Sequence, residues 1–127
     1  MYTGELDGYN LAHMKIDGKT QLIGLLGWPV SHTKSPLMHN AAAQAHDLNV
    51  AYLPLPVHPE AVGAAVKGLP ALGFTGVNVT VPHKQAVMPL LDEIDPAARA
   101  IGAVNTILFK PQPDRSFLPK STGYNTD

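Results

Sequence analysis

Residues 77–84, VNVTVPHK, decide how this chain is read. Val77, Val79 and Val81 are β-branched and alternate with Asn78 and Thr80. That is the period of a buried strand whose two polar side chains share one face. Pro82 has no N–H to give to a ladder and ends the strand. Lys84 follows at the carboxyl end, where open α/β sheets gather their ligands. From these residues alone two readings of the lysine stay open. It is either a proton donor set beside an amide and a hydroxyl, or a surface lysine at a strand end.

Working outward, residues 21–26 (QLIGLL) read as the first buried strand. Gly27, Trp28 and Pro29 break it and open a loop. Ser35 and Pro36 mark a helix start, with Ser as N-cap and Pro in the first helical position, and the helix is expected to run to about His46. Residues 51–57 (AYLPLPV) alternate like a strand, yet Pro54 and Pro56 confine it to an edge or to pairing on one side. Pro59 opens a second helix over residues 60–68, with Val62, Ala65, Val66 and Leu69 inward, and a turn-rich connection follows over residues 70–76.

Beyond the central strand, residues 84–91 read as helical, divided at Pro89. A short helix over residues 96–101 ends at Gly102, a left-handed C-cap. Residues 104–109 read as a strand. Residues 110–122 hold Pro111, Pro113 and Pro119 and read as a loop or irregular hairpin. The alternation of strands and helices implies an α/β fold with a mostly parallel sheet. Residues 1–20 are polar and aperiodic and read as a leader; residues 21–127 read as one domain.

Composition narrows the function classes. The chain has 127 residues, 45% hydrophobic and 15% charged, with a net charge of −1, which suits a single soluble domain. There is no basic run, so nucleic acid is not an expected partner. The absence of Cys excludes disulfide and thiolate chemistry. No apolar stretch approaches the roughly 18–20 residues that span a bilayer, so no membrane partner is expected. The first twenty residues carry acids and no apolar core of a signal peptide, so the expected location is cytoplasmic. Oligomeric state is not legible.

Several polar residues fall at the ends of elements. Thr33 and Ser35 flank Lys34 at a helix entrance, where two hydroxyls and free N–H groups suit a carboxylate; they also read simply as a loop residue and a cap. Asn105, in GAVNT, serves either a turn or a ligand hydroxyl, to which an amide can both donate and accept. Asp127 is the last residue and by itself reads as frayed and solvated. Asp92, Glu93 and Asp95 read as a solvated cluster. His32, His39 and His46 recur every seven residues without any ligand motif, so no metal is expected. No G-x-G-x-x-G turn or P-loop occurs, so no dinucleotide site is expected within this chain.

Four segments, GLLGWPVSHTKSP (24–36), GVNVTVPHK (76–84), GAVNT (102–106) and GYNTD (123–127), together resemble the N-terminal substrate-binding domain of the shikimate dehydrogenase family. The resemblance covers residues 21–127. It implies a three-layer α/β/α domain with a mostly parallel sheet and no Rossmann domain in this chain. It further implies reduction of 3-dehydroshikimate to shikimate with NADPH, with the NADP site lying in a second domain. Lys84 and Asp127 match the catalytic pair. Thr33 and Ser35, with Thr80, match the hydroxyls that hold the substrate carboxylate, and Asn78, Lys84, Asn105 and Asp127 match the groups that hold the ring hydroxyls.

Two departures stand out. Thr33 replaces a customary Ser and narrows the pocket by a methyl, which leaves shikimate and quinate both open. The sequence also stops where the second domain would begin. The expectation is a cut at the domain boundary and a fragment inactive alone; the alternatives are a stand-alone, non-catalytic small-molecule-binding module or a quinate/shikimate dehydrogenase paralogue.

Overall fold

A central strand, β1 (Gln21–Gly27), organises the sheet. The computed structural model describes residues 15–126, so residues 1–14 of the expected leader and Asp127 lie outside the described residues. β1 runs parallel to β2 (Val50–Pro56) on one side and to β3 (Phe74–Val79) on the other. β3 then pairs antiparallel with β5 (Thr106–Gln112), β5 antiparallel with β6 (Arg115–Tyr124), and β6 parallel with the two-residue β4 (Glu93–Ile94). The order is β2-β1-β3-β5-β6-β4. Parallel pairings therefore predominate, and the direction reverses at the β3/β5 seam. β2 occupies the edge that its prolines require.

Successive side chains of a strand point to opposite faces, and Leu25 and Leu26 accordingly enter different cores. Leu26 joins Val77, Val79, Val104 and Ile107 in the larger cluster, covered by α2 (Val62–Ala71) through Val66 and Leu69 and by α3 (Pro96–Ile101) through Ala98. Leu25 joins Val30 and Tyr52 in a smaller one. On that face lies α1 (Ser35–Ala45): the Asn40 amide donates to the Tyr52 carbonyl at 2.9 Å and accepts from its N–H at 2.8 Å. Helices thus cover both faces of the sheet, the α/β/α layering expected.

Several local expectations shift. Ser35 lies inside the first turn of α1, not at its N-cap; that place belongs to Lys34, and the Thr33 hydroxyl accepts from Ser35 N–H at 3.2 Å. α2 begins only after a 3₁₀ turn at Pro59–Ala61 and continues through Pro70, which sits in its last turn. β3 starts three residues earlier than the valine pattern indicates and closes at Val79, leaving Thr80 just beyond it with its N–H on the Leu26 carbonyl at 2.9 Å. Residues 84–91 form turns and one 3₁₀ turn, Met88–Leu90, rather than a helix, because Pro89 removes a donor where the next helical bond would form. Residues 110–122 are a regular hairpin in large part. A register shift between Lys110 and Gln112 absorbs Pro111, and the outer half of β6 pairs only with β5, an edge position that tolerates Pro119. The α3 boundaries and the left-handed Gly102, with φ of 81°, agree with the sequence reading.

Candidate functional site

Asn78 and Thr106 are paired across the β3/β5 seam, so their side chains stand side by side on one face. That face is the one bearing Tyr52, because Val77 and Val79 turn into the larger core. The Asn78 Nδ2 donates to Thr106 Oγ1 at 3.3 Å, and Thr106 Oγ1 donates to Asn105 Oδ1 at 2.9 Å. Asn105, buried at 9% exposure, also receives the Thr126 N–H and hydroxyl, both at 3.1 Å. Its backbone is held twice: its carbonyl accepts from Val79 N–H at 2.8 Å and its N–H donates to the Tyr124 carbonyl at 3.0 Å. Two of the expected amides are therefore brought into one hydrogen-bonded group at the carboxyl end of β3.

Lys84 is held beside them by its backbone, since its carbonyl accepts from Val104 N–H at 2.9 Å. Its ammonium enters no ion pair among the described residues. The residue before it, His83, is 1% exposed, and its Nε2 lies 2.6 Å from the Val57 carbonyl. A carbonyl can only accept, so Nε2 carries the proton, and the ring ties the Lys84 segment to the end of β2. Nδ1 of the same ring is buried without a partner among the described residues.

Thr80 meets β1 at Gly27. A Cβ there would stand 2.5 Å from Thr80 Cγ2 and 3.0 Å from Val30 Cγ1, so glycine is what allows the two strand ends to close. Thr33 and Ser35 form their own pair at the entrance to α1, and no hydrogen bond joins them to the amide group among the described residues. The Thr33 oxygen is occupied as an acceptor, which leaves its O–H free to donate. Asp127 lies outside the described residues; its neighbour Thr126 is part of the group around Asn105.

The sequence reading overlooked Tyr52. Its register partner on β1 is Ile23, and Asn78 is the partner of Leu25. The ring therefore reaches over β1 and donates its hydroxyl to Asn78 Oδ1 at 2.9 Å. His39 of α1 stacks on it, centroids 4.2 Å apart and 9° from parallel. Burial pushes the phenol above its ordinary value of 10.0, so it stays a neutral donor. The one signal in the sequence was a lone tyrosine in an otherwise aliphatic strand, which names neither its neighbour nor its partner.

Residues 25–107 match the family model described as the shikimate dehydrogenase substrate binding domain. The chain belongs to this family. A shikimate dehydrogenase (NADP(+)) of Desulforamulus reducens is 56% identical over 117 residues, covering 92% of this chain and 38% of that protein. A crystal structure of a shikimate dehydrogenase in complex with NADP⁺ superposes with a TM-score of 0.79 at 47% identity, over 88% of this chain and 37% of its own. The Listeria monocytogenes shikimate 5-dehydrogenase, in complex with shikimate and NAD, gives 0.78 at 36% identity, over 89% and 37%. The chain thus spans under two fifths of the length of these relatives.

The β1–α1 connection of this shikimate dehydrogenase-family domain does not fit a nucleotide phosphate. It carries Trp28 and Pro29 where a phosphate-binding turn needs closely spaced glycines, and Thr33 already occupies the Ser35 N–H. Among the described residues no group of His, Asp and Glu is arranged to hold a metal, and no helix is long and apolar enough to cross a membrane.

Proposed function

We propose that residues 21–127 form the substrate-binding and proton-transfer half of an NADP-dependent shikimate dehydrogenase, which interconverts 3-dehydroshikimate and shikimate in the cytoplasm. What supports this reading is that Asn78 and Asn105 share one hydrogen-bonded group at the carboxyl end of β3, with the backbones of Thr80 and Lys84 anchored next to it, in a family whose relatives bear that name. The free O–H of Thr33 and the Ser35 hydroxyl face the substrate carboxylate, with Thr80 assisting. The two amides hold ring hydroxyls. As the ketone is reduced, negative charge builds on its oxygen, and the Lys84 ammonium stabilises that charge and delivers the proton. Asp127 orients the amine and the reacting hydroxyl. The β1–α1 connection lacks the glycines of a phosphate-binding turn, and on this reading the chain binds substrate and transfers no hydride alone.

A ¹H–¹⁵N NMR titration with shikimate tests the reading, with quinate as comparator. Saturable shifts at Ser35, Asn78, Lys84 and Asn105 are expected. A well-dispersed spectrum that neither ligand perturbs sinks it. The methyl of Thr33 favours the slimmer ligand at the carboxylate end, so shikimate should bind more tightly. A preference for quinate would move the assignment to that substrate.

A further inference from the structure

The hydrogen bonds around the two amides run in one direction, and a single backbone group sets that direction. Thr126 N–H can only donate, so the Asn105 atom 3.1 Å away must be oxygen. Thr106 lies 2.9 Å from the same atom and must therefore give it its one hydroxyl proton. With that proton spent, Thr106 can only accept from Asn78, so the Asn78 atom facing it is nitrogen. The other end of that amide is then oxygen, and Tyr52 must donate to it. Each assignment forces the next across four side chains.

We propose that Tyr52 and Thr106 are positioning residues that hold both amides with their N–H groups turned to the ligand. This rests on the reading of the site given above. Asn105 Oδ1 accepts from Thr106 and twice from Thr126, so it has no lone pair left. Its Nδ2 gives one hydrogen to Asn125 Oδ1 at 3.5 Å, and Asn105 meets a ligand as a donor only, through the other. Asn78 Nδ2 spends one hydrogen on Thr106 and keeps the other. Two fixed donors select ligand oxygens that accept, and the saturated Asn105 oxygen disfavours a group that must donate at that place. Burial keeps the Tyr52 phenol protonated, so the far end of the chain does not lose its donor.

Side-chain amide resonances of Asn78 and Asn105, followed with and without shikimate, test this in the 127-residue chain. Thr106→Val keeps the shape of the side chain and removes the relay. It should move both NH₂ pairs in the ligand-free protein and weaken shikimate binding about tenfold. Thr106→Ser retains the hydroxyl and should return both readouts to within about threefold of the parent, which loss of packing alone would not do. Tyr52→Phe should move the Asn78 pair and weaken binding severalfold. Should Thr106→Val unfold, Tyr52→Phe carries the same test. Amide resonances and affinity unchanged in a folded Thr106→Val or Tyr52→Phe variant would overturn the proposal. A parent chain that leaves shikimate unbound, yet shows the Thr106-dependent amide shifts, upholds the hydrogen-bond chain and sinks the substrate reading instead.

Discussion

At the scale of single residues, the site depends on what Gly27 lacks. Any Cβ at that position would press on the Thr80 methyl at 2.5 Å and on Val30 at 3.0 Å. Gly27→Ala should cost about 1–3 kcal/mol, as overpacking of a close contact does. Thr80→Ser deletes the offending methyl and keeps the hydroxyl. The double variant should therefore recover part of the loss, a coupling that urea denaturation of the four proteins in a double-mutant cycle would measure. Strict additivity of the two changes would contradict the contact. The same residue scale shows why Tyr52 was not legible in the sequence while Asn78 and Lys84 were. Asn78 and Lys84 announce themselves by breaking a valine pattern and following a proline. The importance of Tyr52 comes from lying two strands away from Asn78, a relation that strand order creates and no local pattern encodes.

Among elements, the entry to β1 is tied down by a small polar knot. Asp17 accepts from Lys19 N–H at 2.8 Å and from Asn49 Nδ2 at 3.1 Å, while Thr20 donates to Asn49 Oδ1 at 2.7 Å. The Asn49 amide, then the Lys19 N–H, hold the Asp17 carboxyl below its ordinary value of 3.8, against a smaller opposing push from desolvation. A carboxyl with a lowered value in the folded state stabilises that state above the unfolded value. The contribution begins to fade near 3.8 and is gone once the pH has fallen through the lower, folded value. NMR titration should place the Asp17 midpoint below 3.8, and Asn49→Ala should raise it; an Asp17 midpoint indifferent to Asn49 would dissolve the knot.

The span of α3 was legible because Pro96 and Gly102 are local signals at its two ends, whereas its cap, Asp95 accepting from Ala97 N–H at 3.1 Å, was read only as part of a solvated cluster. The β5–β6 hairpin was legible only as an alternative to a loop. Its prolines argue against strands in general, and only the edge position of the outer half of β6 makes them harmless.

For the molecule as a whole, two cores of unequal size share one sheet, and their weights can be compared. Ile107 is fully buried in the larger cluster, whereas Ile23 only borders the smaller one. Ile107→Ala should cost about 2–5 kcal/mol and Ile23→Ala distinctly less, both within a single cooperative urea transition. Equal losses would mean that the face beneath α1 carries as much of the stability as the face beneath α2. The alternation of strands and helices made the α/β class readable from sequence. The arrangement beyond β3 was not, because β4 has two residues and the reversal at the β3/β5 seam leaves no mark in local composition.

That reversal has a consequence for how the family can vary. Asn78 and Thr106 are register partners, so their spacing belongs to the backbone lattice, with strands about 4.8 Å apart, and owes nothing to the segment that joins them. The segment between them is constrained for other reasons, since it carries Lys84, the buried His83 and Ala98 of the core, but its length does not set the distance between these two side chains. A slip of β5 by a single residue is a different matter. It would turn Thr106 to the opposite face, bring Ile107 or Asn105 opposite Asn78 according to its direction, and break the Asn78–Thr106–Asn105 chain at one stroke. For this pair, phase decides and loop length does not.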